Sequence, residues 1–295
     1  MKIPKRFGVW GNTDKHTFWK LLPDIISWAE ERELEVFLTT RIQNKMKDPQ
    51  EFSYQVIESA EDFHKLDFLL ALGGDGTMLS VARAVGDRNT PILGIHLGEL
   101  GFLAEVNVDH MFEKMNQVAL GEYIVQPRMA LKSTVYNGGK PNTLYALNDV
   151  VIDRGKSHRM LVYKLQANNH VIASYKADGL VVSTPTGSTA YSLAAGGPIV
   201  VPTVSIMVVA PICPHSLTLR PIVIPDDQIL KISFPIDHDD GIALAVDGQI
   251  CEELGHGSTV EIQAAEYTIK MIGFPGTNYF QTLRKKMGWG TRGEG

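Results

Sequence analysis

Residues 66–79 read LDFLLALGGDGTML. Leu66–Leu72 is a nearly unbroken apolar run without alternation, the pattern of a strand buried on both faces of a parallel sheet. Three glycines then break the run around Asp75, and Met78–Val85 resumes with helical character. Strand, tight turn and helix make one step of an α/β domain. Outward toward the start, Phe7–Trp10 is a short apolar strand ending at Gly11. Phe18, Leu21, Leu22, Ile25, Ile26 and Ala29 share one helix face, and Glu35–Leu38 reads as a second strand. Ile42–Pro49 is polar and charged and reads as a loop, while Phe52–Phe63 reads as a helix. Toward the end, the strand Ile92–Ile95 precedes a helix near Asp109–Leu120. Such alternation predicts a parallel sheet covered on both faces.

The character changes near Pro127. Ala130–Tyr136, Tyr145–Ile152, Leu161–Gln166, Val171–Tyr175 and Leu180–Ser183 are short and β-rich, with turn signals at Asn137-Gly138-Gly139 and Asn168-Asn169. Val204–Val209, Ile222–Ile224, Ile229–Phe234, Ile242–Val246, Val260–Ile262 and Tyr267–Ile272 continue the series. Tyr279–Met287 regains helical character, and Gly288–Gly295 reads as a loose tail. The expected organisation is an α/β domain over 1–126, with 276–295 returning to it, and an antiparallel β-rich domain over 127–275.

The chain has 295 residues, 44% hydrophobic, 21% charged and 8% aromatic. This is ordinary globular composition, which excludes a disordered, collagen-like or small disulfide-stapled protein. Twenty-eight Lys and Arg against 33 Asp and Glu give a net charge of −5, unlike the basic footprint of a nucleic-acid binder. Any polyanionic ligand needs a local site or a divalent cation to overcome the field of the whole protein. The two cysteines form no C-x-x-C, which fits a reduced intracellular protein. Phe7–Trp10 is too short for a signal-peptide core, and no stretch approaches the ~20 apolar residues of a membrane span. The expected address is the cytoplasm.

Three segments carry candidate chemistry. Gly73-Gly74-Asp75-Gly76-Thr77 lets the backbone come close to a ligand at a helix N-terminus, a setting suited to phosphate. A carboxylate there repels phosphate, so Asp75 is a candidate base or magnesium contact; alternatively Asp75 or Thr77 merely caps the helix. The turn is neither a Walker A loop nor G-x-G-x-x-G. Asp178–Ser192 runs a strand into a dense set of hydroxyls and glycines, with Tyr191 offering a ring for stacking. Asn148-Asp149 interrupts an apolar run, and two adjacent polar residues cannot both face a core cheaply. They lie at a strand-end turn, a bulge or a site. Three other groups read as bland: Asp237-His238-Asp239-Asp240 as a solvated hairpin turn rather than a metal cluster, Cys213-Pro214-His215 as a buried structural thiol rather than a Cys–His pair, and His158-Arg159 as a charged turn, kept in view because it follows soon after Asn148-Asp149.

Together these segments resemble NAD kinase. The matching blocks are LGGDGT (72–77), PILGIHLG (91–98) with LGFL (100–103), Asn148-Asp149, and Asp178 through Pro198 with STPTGSTAYSLAAGGP. Asp247-Gly248-Gln249 also fits. The resemblance spans Phe7 to about Arg284. It implies an N-terminal α/β domain, a β-rich NAD-binding domain and a homodimer or homotetramer. It implies phosphate transfer from ATP or polyphosphate to the 2′-hydroxyl of the adenosine ribose of NAD, assisted by Mg2+ carried largely by the donor. By the same resemblance Asp75 is the proton acceptor. Gly74, Gly76, Asn148, Asp149, Arg159, Lys176, Asp178, Thr186, Thr189, Ala190, Tyr191, Ser192, Ala194 and Gln249 contact substrate, and no residue is assigned to a metal. Neither a nucleic acid nor a membrane is an expected partner. One departure is His96, where the family more often has Asn. A lipid kinase shares the GGDGT turn but not the STPTGSTAY block. A non-catalytic dinucleotide sensor would not need Asp75, and a dehydrogenase would carry G-x-G-x-x-G.

Overall fold

Every residue of the Phe68–Gly73 run is buried. In the computed structural model, which describes residues 3–47, 51–98, 101–235, 241–255 and 257–289, this run is the central strand of the first of two units. The order is β1 (Arg6–Gly11), α1 (His16–Glu30), β2 (Glu35–Thr39), α2 (Thr40–Lys45), β3 (Gln55–Ile57), β4 (Phe68–Gly73), α3 (Asp75–Val85), β5 (Ile92–His96), β6 (Val106–Asn107) and α4 (Met111–Ala119). The strands pair in parallel as β3-β2-β1-β4-β5-β6. Phe18, Leu22, Ile25 and Ile26 of α1 and Met111, Met115 and Val118 of α4 join the strands in one apolar core. The chain winds one way from β1 through β3 and the other way from β4 onward. The C-terminal ends of β1 and β4 therefore flank a topological switch point, where open α/β sheets bind ligands.

Two sequence expectations fail in this unit. The segment read as a loop from Ile42 begins inside a helix, α2: the Thr39 side chain accepts the Ile42 N–H at 3.4 Å, and Ile42 is fully buried. One buried residue in six leaves no periodicity to read. Phe52–Phe63 is not a helix. It holds the short strand β3, paired Leu38↔Val56, and a 3-10 segment, Ala60–Lys65. Asp62 accepts the Ser59 N–H at 2.9 Å and starts that segment afresh. Leu100 of the LGFL block, Asp237–Asp240, 48–49 and 290–295 lie outside the described residues.

The second unit, Arg128–Thr268, is β-rich. Its elements are β7 (Ile124–Tyr136), β8 (Asn142–Ala146), β9 (Asp149–Asp153), β10 (Leu161–Ala167), β11 (His170–Ala177), β12 (Gly179–Ser183), α5 (Tyr191–Ala194), β13 (Ile206–Ile212), β14 (Ile222–Pro225), β15 (Leu230–Ser233), β16 (Ile242–Val246), β17 (Ile250–Leu254) and β18 (Thr259–Gly273). One antiparallel sheet runs β14-β13-β12-β9-β16-β17. A second set pairs β11-β10-β15-β18, with β7 and β8 as a hairpin. Tyr163, Leu165, Val182, Leu244 and Ile262 meet in their common core. Tyr145–Ile152, read as one strand, is two: β8 and β9 belong to different sheets. β17 escaped the sequence reading because its exposed edge carries Cys251 and Glu253. Val260–Ile262 and Tyr267–Ile272 are one strand, β18.

Ile269–Gly295 rejoins the first unit, Met1–Pro127, through Met271 beside Ile92 and the helix α6 (Tyr279–Met287). No helix among the described residues is long and apolar enough to cross a membrane.

Candidate active site

In the first unit the GGDGT turn leaves β4 and enters α3. No side chain caps that helix. The Asp75 carboxylate turns instead to the 101–103 loop, accepting the Phe102 N–H on Oδ2 at 2.9 Å and the Leu103 N–H on Oδ1 at 3.0 Å. A side chain at Gly101 would collide with this carboxylate. The second motif block thus anchors the first, and each carboxylate oxygen keeps a further lone pair. His96 closes the same region: its Nδ1 lies 2.8 Å from the Gly98 carbonyl, which only accepts, so the proton sits on Nδ1. The departure at His96 therefore keeps a defined turn.

A cavity of about 680 Å3 opens at the switch point, lined by Gly11 and Asn12 after β1, Gly74 before α3, and Gly76, Thr77, Ser80 and Arg83 along one flank of α3. Gly74 is half-buried and Gly76 is exposed. Lys15, Arg41 and Arg83 bring positive charge to this cavity. Arg83 Nη1 is buried without a hydrogen-bond partner. Arg41 donates to Thr13 Oγ1 at 3.0 Å and to Asp14 at 3.1 Å, and Lys45 donates to Asp14 at 2.8 Å. The Lys45 hydrogen bond leads the effects that lower the Asp14 pKa. Sequence reasoning missed these cations. Arg83 was within reach, since positions 76, 80 and 83 share a face once α3 is known to start at Asp75.

The second unit gathers most of the remaining candidates. Asn148 and Asp149 stand where the chain leaves β8 and enters β9, beside the segment that follows β12. The Asn148 carbonyl accepts the Thr184 N–H at 2.9 Å and the Ser183 hydroxyl at 3.2 Å. Gly187 lies against that carbonyl, and any side chain there would strike it. Thr186–Thr189 forms a 3-10 turn, Ala190 breaks it, and Tyr191–Ala194 forms α5. The Tyr191 N–H bonds the Asp149 carboxylate. Asp149 is 5% exposed. Burial first and the neighbouring Asp247 second push its carboxyl up to about 7, against the Tyr191 N–H.

Asn148 Oδ1, Thr186 Oγ1 and Ser192 Oγ are buried without hydrogen-bond partners. Such atoms cost about 1–3 kcal/mol each unless something satisfies them. Thr189 is half-buried, and Ala190, Tyr191 and Ala194 are exposed, Tyr191 by 45%. Burial raises the Tyr191 phenol. Asp178 pairs with Arg154 at 3.3 Å. Lys176 and Arg159 are exposed; the Lys176 carbonyl accepts the His215 N–H at 2.8 Å, and the Arg159 N–H donates to Ser157 at 3.1 Å. Gln249 closes the β16–β17 turn through its N–H. No hydrogen bond among the described residues ties Arg159 or Lys176 to Asn148 or Asp149. Asp247, beside Asp149, was noted in the sequence only as part of a fitting block.

A family model for the ATP-NAD kinase N-terminal domain matches residues 7–123, and one for the ATP-NAD kinase C-terminal domain matches residues 147–274. The NAD kinase of Syntrophotalea carbinolica is 37% identical over 98% of this chain and 100% of its own length. The chain belongs to the NAD kinase family. The NAD kinase of Geotalea daltonii is 43% identical over 77% of this chain and 80% of its own. The fold is that of a yeast NADH kinase solved with NADH, with a TM-score of 0.88 at 24% identity over 99% of this chain and 89% of that one. An Archaeoglobus fulgidus NAD kinase solved with ATP gives a TM-score of 0.72 at 24% identity over 95% and 98%. The four sequence blocks on which the family was read all fall inside the two matched domains.

Proposed function

We propose that this member of the NAD kinase family transfers the terminal phosphate of ATP, or of another donor such as polyphosphate, to the 2′-hydroxyl of the adenosine ribose of NAD. The observation that carries the reading is the set of unsatisfied buried atoms on Asn148, Thr186 and Ser192. A dinucleotide, rich in hydroxyls and ring edges, supplies the partners they lack. Asn148, Asp149, Asp178, Thr186, Thr189, Ala190, Tyr191, Ser192 and Ala194 take the dinucleotide, with Arg159, Lys176 and Gln249 at its periphery. The basic cavity beside Gly74 and Gly76 takes the donor phosphates. Asp75 accepts the proton as the 2′-oxygen attacks the terminal phosphorus. The bond from that phosphorus to the bridging oxygen breaks, and the shortened donor leaves. General-base help of this kind gives typically 10²–10⁴-fold, and the rest is positioning and charge neutralisation.

Magnesium supplies neutralisation when the donor brings it. Among the described residues no group of three or more His, Cys, Asp or Glu converges as a metal cage. Mg2+ commonly keeps its waters and binds substrate phosphates with few protein ligands. On that general ground the metal comes mostly with the donor in this proposal. A cytoplasmic homodimer or homotetramer completes the proposal, checked by sedimentation. The activity test is purified protein with NAD, magnesium and a panel of ATP, other nucleoside triphosphates and polyphosphate, read by an NADP-specific dehydrogenase. NADP should form with at least one donor; none with any donor sinks the reading.

A further inference from the structure

One carboxylate in the second unit holds three consecutive backbone amides. Asp247 and Gly248 occupy the centre of the β16–β17 turn with φ of 51° and 61°, closed by the Gln249 N–H on the Val246 carbonyl at 3.0 Å. The left-handed conformation at Asp247 directs a side chain that is only 8% exposed back toward the entry to β9. Its Oδ2 accepts the Leu147 N–H at 2.9 Å. Its Oδ1 accepts the N–H groups of Asn148 at 2.7 Å and Asp149 at 3.2 Å. The Asp247 N–H donates to the Asp149 carbonyl at 2.9 Å, fixing the same junction from the other side.

Residues 147 and 148 lie between strands of two different sheets, so no ladder partner serves their N–H groups. Unpaired buried amides are costly, and an anion facing successive N–H groups is a strong solution. The Asn148 side-chain oxygen has no protein partner of its own. Its orientation therefore depends on the backbone that Asp247 grips. We infer that Asp247 is a positioning residue, which fixes the backbone of Leu147–Asp149 so that Asn148 and Asp149 meet the dinucleotide in one orientation. This rests on the reading of Asn148 and Asp149 as dinucleotide contacts.

The charge of Asp247 has a second consequence. Asp149 is faced by Asp247 from the β16–β17 turn and by Tyr191 from α5, whose N–H opposes the like charge. Asp153 on β9, Asp178 before β12 and Cys213 after β13 lie toward the Tyr191 phenol. The Asp247 charge raises the Asp149 pKa, so removing it lowers the pH at which Asp149 titrates. Any dependence of NAD affinity on that proton shifts with it.

Asp247→Asn tests this. Asn tolerates the left-handed backbone and keeps the shape, but loses the charge and one acceptor. NAD affinity should fall by roughly 10–100-fold, the scale for misplaced contacts. The donor KM should hold, and the pH midpoint for NAD binding should drop below its wild-type value. Unchanged affinity and midpoint, with Asn148→Ala still weakening NAD, overturn the inference and leave the dinucleotide reading standing. Unchanged affinity in Asn148→Ala as well overturns the reading itself. Should Asp247→Asn fail to fold, amide exchange in the wild type decides. Leu147, Asn148 and Asp149 should be protected like β9 without NAD, and fast exchange there overturns the inference.

Discussion

Asp75 opens helix α3 and Asp149 opens strand β9, and their carboxylates have different neighbours. Asp75 faces two backbone N–H groups, in a unit whose cavity carries Lys15, Arg41 and Arg83. Asp149 is buried beside a second carboxylate, with one N–H in compensation. Burial and the like charge of Asp247 favour a retained proton on Asp149, whereas Asp75 is bound through both oxygens to backbone N–H groups. A carboxylate's role is thus set by what its neighbours donate. We propose that one residue type serves as a proton acceptor in one unit and as a hydrogen-bonding wall in the other.

The sharpest way to break that contrast is Asp75→Asn. It should bind NAD with near-native affinity while kcat falls about 10²–10⁴-fold. Near-native kcat in protein shown to be folded by circular dichroism removes Asp75 from the base role. The 101–103 loop is a built-in control, since Asn keeps one of the two acceptors for Phe102 and Leu103.

Asp149→Asn should give the opposite signature, a gain in stability. The folded value near 7 lies above the ordinary value of 3.8. Stability from the retained proton is therefore full below about pH 4 and lost as pH rises to about 7, after which the curve is flat. The variant removes that loss, so it should exceed wild type by on the order of a few kcal/mol at pH 8 and match it near pH 4. Melts at pH 4, 6 and 8 check this, and a variant less stable at pH 8 contradicts the buried-proton account.

Tyr191→Ala sharpens the comparison from the ligand side. The ring is 45% exposed, so the melt should barely move while NAD binding weakens by about 1–3 kcal/mol in calorimetric titration, the range for base–aromatic stacking. A large drop in melting temperature with unchanged affinity would make the ring structural. The smallest effect expected is from Arg83→Gln, roughly a tenfold rise in the donor KM with NAD affinity untouched, about 1.4 kcal/mol. A change in NAD affinity instead would separate Arg83 from the donor.

What the sequence disclosed follows the same division. Leu66–Leu72 and Ile92–Ile95 were legible because a strand buried on both faces leaves an apolar run. The STPTGSTAYSLAAGGP block was legible because it crowds more small polar residues behind a buried strand than one turn needs, although Ser183, Thr184 and Ser188 do bond the backbone. α2 was hidden because it buries only Ile42, and the break between β8 and β9 because both flanks are apolar while a turn runs through Leu147 and Asn148. The grip of Asp75 on Phe102 and Leu103, and of Asp247 on Leu147–Asp149, are contacts between residues 27 to 100 positions apart. No local pattern encodes them. The Asp-Gly turn at 247–248 signals a hairpin, not the destination of its carboxylate.

The proposed reaction turns on a single hydroxyl, the 2′-hydroxyl of the adenosine ribose. The purified protein is incubated with magnesium and a donor labelled in its terminal phosphate, and with either NAD or its 2′-deoxyadenosine analogue, and the products are separated and analysed by mass and fragmentation. One phosphate should be added to NAD, on the 2′-oxygen of the adenosine ribose, and the analogue should bind yet give no product. Product from the 2′-deoxy analogue at a rate like that of NAD, or phosphate found elsewhere on NAD, would contradict it.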